Sequence, residues 1–202
     1  MSRNVARGDA TREHLVATAT VLFGERGYEG TSVEAVLKAA GTSRGSLYHH
    51  FESKSALFEA AFEAVELRVA EEVAAAAGGG TSAKEALRRG GRAWLDLASG
   101  DPVVRRIVLV DAPAVLGWAR WRELEEESAL GLVRAALEVM AAEDRLAPEL
   151  VDVMAHVLLA AVNEIALFVA TAEDPAAAGV TANRSLDELL DRLFPDEAEG
   201  GR

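Results

Sequence analysis

Residues 31–54 read T-S-V-E-A-V-L-K-A-A-G-T-S-R-G-S-L-Y-H-H-F-E-S-K, and the fold can be worked outward from them. Thr31 and Glu34 stand three apart, the spacing of a capping box, which predicts a helix starting at Thr31. Val33, Val36 and Leu37 share one face of that helix. Gly41 supplies a residue able to take the left-handed conformation that ends it. Thr42 or Ser43 then caps a second helix. Two short helices crossing around a glycine turn make a helix-turn-helix. In the second helix Leu47 and Phe51 are i and i+4 and face inward, which leaves Arg44, Gly45, Ser46, Tyr48 and His49 outside.

That outer face suits a DNA major groove. Arg44 sits at the helix N-terminus, where groove-inserted helices meet base edges, and a guanidinium can read guanine O6 and N7. Gly45 and Ser46 permit close backbone approach, and the hydroxyl of Ser43 lies at the same helix start. Tyr48, His49 and Thr31 carry groups that can hydrogen-bond phosphates, and Lys54 can add an ion pair. The competing reading is a solvated surface helix with an idle arginine and a packed tyrosine.

The run 31–54, preceded by A-T-V-L-F-G-E-R-G-Y-E-G at 19–30, resembles the N-terminal domain of TetR-type transcriptional regulators. The matching elements are F-x-x-x-G-Y-x-x-T-S at 23–32, A-G-T-S-x-G-S-L-Y at 40–48 and H-F-E-S-K at 50–54. Beyond them the chain resembles the family only in length, helical content and order. The resemblance implies an all-α protein of about nine helices. Residues 1–54 would form a three-helix DNA-binding domain, and residues 55–202 an effector-binding and dimerisation domain. It further implies a repressor that binds a palindromic double-stranded DNA operator as a homodimer and is released by a small-molecule effector. A regulator controlled by a protein partner instead of a small molecule is the alternative.

Charge placement agrees with a DNA-binding head. Residues 1–60 hold seven basic and seven acidic side chains; the remainder of the chain holds 14 basic and 26 acidic, which accounts for the whole net charge of −12. An acidic body is repelled by DNA, so the neutral head must be the part that docks, and few cationic contacts per subunit call for two subunits. There is no cysteine, hence no disulfide framework and no thiolate metal site. The N-terminal segment has no apolar signal region, and Asn163 and Glu164 interrupt the longest apolar stretch, so the expectation is a cytoplasmic protein without a membrane span.

Helical periodicity continues along the chain. A first helix spans Thr11 to Arg26 with Leu15, Ala19, Leu22 and Phe23 inward. Ser53 caps a long helix to about Ala77, with Leu57, Phe58, Ala61, Phe62 and Val65 on its apolar side. Ser82 and Glu85 form another capping box. Asp101-Pro102 opens a helix that is expected to end before Pro113. Further helices are expected from about Leu116 to Ala142 and from Pro148 to about Thr171, where Asp174-Pro175 breaks the run. The last is expected from roughly Val180 to Leu193.

The last two helices are nearly apolar all round or carry a strong apolar stripe, which points to burial against a partner. Val157, Ala161, Leu186, Leu189, Leu190 and Leu193 are the candidate dimer residues. An effector pocket for an apolar or aromatic molecule is expected in the body. Its candidate lining is Phe62, Trp94, Trp118, His156 and Asn163, although each also fits an ordinary core. Gly90-Gly91, in mid-helix, signals either tight packing or room for a ligand. No catalytic constellation is recognisable: there is no H-E-x-x-H, phosphate loop or G-x-S-x-G. His49 and His50 diverge by about 100° on a helix and cannot share a metal. The reading is therefore a non-enzyme that needs no metal or cofactor.

Overall fold

The structure, a computed structural model, describes residues 3–195. It is helical, with no strand among the described residues. The helices are α1 (Arg3–Gly30), α2 (Val33–Ala40), α3 (Arg44–His50), α4 (Lys54–Ala77), α5 (Ala83–Gly100), α6 (Pro102–Val104), α7 (Ala112–Val115), α8 (Trp118–Ala142), α9 (Val151–Ala170) and α10 (Pro175–Leu193). A π-helical stretch, Arg105–Asp111, joins α6 to α7, and a single 3-10 turn, Pro148–Leu150, leads into α9.

Packing divides the chain into two compact units. One gathers the residues up to Leu67 together with Pro102–Arg122; the other gathers Arg68–Asp101 with the residues from Glu123 onward. The boundaries fall inside α4 and α8, so both helices run on from one unit into the other.

In the first unit the inward residues anticipated for α1 and α4 are buried: Leu15, Ala19, Leu22 and Phe23 from α1, and Leu57, Phe58, Ala61, Phe62 and Val65 from α4. Leu47 and Phe51 join them from the helix-turn-helix. Phe58 meets Phe23 edge-on at 5.1 Å and Tyr28 at 5.2 Å between ring centroids, which ties α1 to α4. Burying each such ring contributes about 1.5–3 kcal/mol. Gly41 is left-handed (φ 61°), as a helix stop requires.

The first helix starts at Arg3 rather than at Thr11, and three further boundaries differ from the expectation. Ser32, not Thr31, caps α2, and its hydroxyl accepts from the Ala35 amide at 3.1 Å. The 102–115 segment does not stop before Pro113. Pro113 has no amide hydrogen to donate, and the helix widens into the π stretch just ahead of it, with the Ala112 amide donating to the Ile107 carbonyl. Asp174-Pro175 does not merely break a helix but opens α10: Asp174 is the N-cap, accepting from the Ala177 amide at 3.1 Å, and Pro175 fits the first turn.

In the second unit α10 packs along α5, and both pack on α9. The α5–α10 seam is ionic as well as apolar. Lys84, only 4% exposed, reaches Asp191 at 2.8 Å. Arg88 bridges Asp187 and Asp191, Arg92 pairs with Asp187, and Asn183 donates to Asp96 at 2.8 Å. Beneath the ladder, Leu186 and Leu190 are buried. Residues 148–170 are long and apolar enough to cross a membrane (mean hydropathy 2.0), yet only 33% of that span is buried in the chain. Thus α9 keeps an uncovered apolar face.

The hydrogen bond from Lys84 and the nearby Arg88 hold the Asp191 carboxyl below its ordinary range. A lowered folded-state pKa means the ladder's contribution is present above the unfolded carboxylate pKa of about 3.9 and is lost as pH falls through the folded value. The Tm gap between wild type and Asp191→Asn is therefore expected to hold steady from neutral pH to about 5 and to close in more acid buffer. Thermal melts followed by circular dichroism across that range are the check, and a gap that persisted undiminished to pH 3 would contradict it.

Candidate nucleic-acid interface

The helix-turn-helix presents α3 outward, and its start is built by one side chain. Ser43 is in extended conformation and accepts the Ser46 amide at 3.2 Å, which resolves the choice between Thr42 and Ser43 for the cap. Arg44, Gly45, Tyr48 and His49 are exposed, and Ser46 is half-buried. Gly45 and His49 lie opposite buried Leu47, Ser46 and Tyr48 flank them, and Arg44 stands in the first turn, at the edge of this face. Gly45 leaves this surface low, with only the Ser43 hydroxyl near where its Cβ would stand.

Arg44 is held by two neighbours. Its guanidinium pairs with Glu34 of α2 and lies over the Tyr48 ring, 5.9 Å from the centroid. Both Arg44 and Glu34 are largely exposed, so in water this pair contributes little stability. Its effect is on where the guanidinium waits. The ammonium of Lys54, the first residue of α4, sits 3.9 Å above the centroid of the Tyr28 ring, a cation–π contact that holds it in place while the residue stays half-exposed.

Thr31 is placed differently from its companions. It is 1% exposed, and its hydroxyl lies 2.8 Å from the Gly27 carbonyl and 3.1 Å from that of Leu22. Its one hydroxyl hydrogen is thus committed inside the protein. The neighbouring exposed hydroxyl is that of Ser32, which sequence reasoning passed over because the T-x-x-E spacing drew the cap one residue early.

The residues considered for an effector fall in both units. Phe62, in the first, is fully buried, whereas Trp118 is 58% exposed and lies tilted by 49° against buried Trp121, 4.7 Å between ring centroids. In the second, Trp94 and Asn163 are buried and His156 is exposed, 3.9 Å from Glu126. The indole N–H groups of Trp94 and Trp121 are buried and meet no hydrogen-bond acceptor among the described residues. The glycine pair of α5 serves packing: a Cβ on Gly91 would lie 2.7 Å from Leu186, and one on Gly90 would touch Ala77 and Val73. Among the described residues no group of His, Asp and Glu side chains is arranged to hold a metal ion.

Of the candidate dimer residues, Leu186 and Leu190 are consumed within the chain, Ala161 and Leu189 are half-buried, and Val157 and Leu193 are exposed. The uncovered apolar surface also includes Val153 (61% exposed) and Phe168 (60%) on α9, and Val180 at the start of α10.

Comparison with known proteins gives this geometry its relatives. The family model described as "Bacterial regulatory proteins, tetR family" matches residues 15–61, and "Tetracyclin repressor-like, C-terminal domain" matches residues 84–193. The crystal structure of a TetR-family transcriptional regulator from Pectobacterium atrosepticum is 30% identical, with a TM-score of 0.85, over 97% of this chain and 99% of that one. The HTH-type transcriptional regulator AcrR of Shigella flexneri is 41% identical over 61 residues, 30% of this chain and 28% of its own length. The HTH-type transcriptional repressor AcnR of Corynebacterium efficiens is 40% identical over 73 residues, 35% of this chain and 39% of its own. The matched segments therefore span only between about a quarter and two fifths of these curated relatives.

Replacing Thr31 by valine separates a buried structural hydroxyl from a phosphate contact. The expected outcome is a loss of about 1–3 kcal/mol in unfolding free energy, because carbonyls lose a buried donor. The slope of log K against log salt for DNA binding is expected to stay unchanged, as no phosphate contact is lost. Chemical denaturation and salt-titrated anisotropy measure the two quantities.

Proposed function

The chain belongs to the TetR family of transcriptional regulators, and from that premise we propose that it represses transcription by holding a palindromic operator as a two-fold dimer, from which a small-molecule effector releases it. The observation that carries this reading is the outward face of α3. It offers an arginine at a capped helix start, a glycine behind it and, in Tyr48 and His49, rings with polar tips, which suits entry into a major groove. Arg44 reads a base edge. Ser43, Gly45 and Ser46 line the close approach, and Tyr48, His49 and Lys54 contact phosphates. Residues 1–54 carry this task, and residues 55–202 carry effector binding and dimerisation. The site of action is the cytoplasm.

Dimerisation is supported by the apolar surface that α9 and α10 leave uncovered. Val157 lies four residues after Val153 and Phe168 eleven after Val157, a spacing that keeps them on one helix face. That face would pack on its two-fold copy, with Val180 and Leu193 at its margin, while Leu186 and Leu190 support α10 from within. In a dimer two copies of α3 must stand about 34 Å apart to enter successive major grooves. The 24 residues of α4 span about 36 Å at 1.5 Å each. A helix of that length can turn a small tilt into lost groove spacing.

Effector binding is supported by the two buried indole N–H groups. A buried donor without an acceptor costs about 1–3 kcal/mol. A mostly apolar or aromatic molecule with a carbonyl or ether oxygen would supply what Trp94 or Trp121 lacks. His156, being exposed, contributes to such a site less readily than Asn163.

Three measurements test this reading. Random-site selection followed by footprinting is expected to yield an inverted repeat, and recovery of no preferred sequence would overturn operator recognition. Arg44→Ala is expected to cost about 1–3 kcal/mol of binding and to relax preference at one base pair of each half-site. Sedimentation is expected to show twice the 21.4 kDa chain mass for wild type. Val157→Glu should shift that toward the monomer, and a wild-type monomer at micromolar concentration would remove the dimer.

A further inference from the structure

DNA contacts in this chain lie within residues 31–54, yet the corner that leads into them is held from a distant part of the sequence. At Gly27 the helix breaks with φ 72° and ψ 172°, a left-handed conformation suited to glycine. The break separates the Tyr28 amide from the regular hydrogen-bond pattern of α1. That amide donates instead to Oδ2 of Asp111, 83 residues later in the chain, at 2.7 Å. The same oxygen accepts from Nε of Arg106 at 3.2 Å. The Arg106 guanidinium lies against Gly27 itself, so that any side chain at residue 27 would collide with it.

Asp111 and Arg106 bracket the π stretch, whose wider turn ends at Asp111. Asp111 is nearly buried, with its side chain 12% exposed, so it is no incidental surface acid. Tyr28 in turn carries the Lys54 ammonium on its ring. The Gly27 carbonyl accepts the Thr31 hydroxyl one residue before the cap of α2.

We propose that Asp111 is a positioning residue for DNA binding: by accepting the Tyr28 amide it fixes the Gly27 corner, and through that corner it sets where Lys54 and the start of α2 stand. The proposal rests on the operator-binding reading above. It brings into DNA binding a residue that lies outside the stretch matched by the tetR-family N-terminal model, residues 15–61. It also makes DNA affinity sensitive to the conformation of the π stretch that carries Asp111.

The test uses the full chain and a fluorescein-labelled duplex carrying the site that the wild-type protein selects from a random library. Asp111→Ala removes the acceptor. Asp111→Asn keeps a carbonyl oxygen for the Tyr28 amide while discarding the charge that pairs with Arg106. For Asp111→Ala the expected result is about a tenfold loss of affinity with a shallower log K against log salt slope, since Lys54 no longer stands at its phosphate. Asp111→Asn is expected to stay within about threefold of wild type and keep its slope. Hydrogen exchange read at Tyr28 should accelerate in the alanine variant and not in the asparagine variant.

Affinity and slope for Asp111→Ala equal to wild type would overturn the assignment. So would an equal loss in both variants with the slope unchanged, which is the signature of general destabilisation. If the wild-type protein selected no site at all, the operator reading beneath the proposal would fall. That outcome is distinct, because it appears before any variant is made.

Discussion

A buried corner of main chain is tolerable only if its polar groups find partners, and the corner at Gly27 imposes that condition on the whole DNA-binding head. Here α1 must stop, turn and release the chain into α2 while the aromatic rings of Phe23, Tyr28 and Phe58 close over it. The Leu22 and Gly27 carbonyls are met by one threonine hydroxyl. The Tyr28 amide is met by a carboxylate. Arg106 covers the place where a Cβ would stand. Remove these partners and each exposed group would have to seek water inside an aromatic cluster. The orientation of α2, and through Gly41 that of α3, follows from where Asp111 holds the Tyr28 amide.

Local chemistry made much of the head legible from sequence. Gly41, Ser43, Ser53 and Ser82 act through groups within a few residues of themselves, so their roles could be read from spacing alone. The same logic misassigned Thr31, because a threonine followed at three by glutamate satisfies the capping-box spacing whether or not its hydroxyl is free. In the folded chain that hydroxyl is spent on carbonyls earlier in the chain, one of them nine residues away, and Ser32 takes the cap. The Asp174-Pro175 pair carries the same signal as Asp101-Pro102, yet after an apolar run it can equally mark a stop, and spacing alone does not choose between the two. Gly179 is accommodated because α10 runs close to Ser99 there, a tertiary reason that spacing cannot carry. Asp111 had no local signature at all: its partner lies 83 residues away.

The body follows a second constraint, that of holding an acidic surface together. With a net charge of −12, helices such as α10 would repel their neighbours if their carboxylates were unmatched. The seam with α5 answers this by concentrating Lys84, Arg88 and Arg92 on one helix face opposite Asp187 and Asp191. Lys84 buries its aliphatic stem and delivers only the ammonium to the carboxylate, so the ladder also covers apolar surface. The apolar residues beneath it, Leu186 and Leu190, are thereby spent inside the chain. Sequence periodicity marked them as a stripe but could not say which partner would receive it. The apolar residues of α9 and α10 that remain uncovered lie outside this seam.

These two constraints divide the work of the chain in a way its sequence boundary does not. The head is defined chemically by residues 31–54, yet its corner depends on a carboxylate and a guanidinium from residues 105–111. The π stretch that carries them owes its geometry to a proline, since the missing Pro113 amide leaves the helix free to widen by one residue just before it. A regular α-helix over the same residues would rotate Asp111 by about 100° per residue of register, away from the Tyr28 amide. The irregularity is thus what allows one short segment to satisfy the corner, and the position of α2 and α3 is tied to the helical register of a segment some sixty residues downstream.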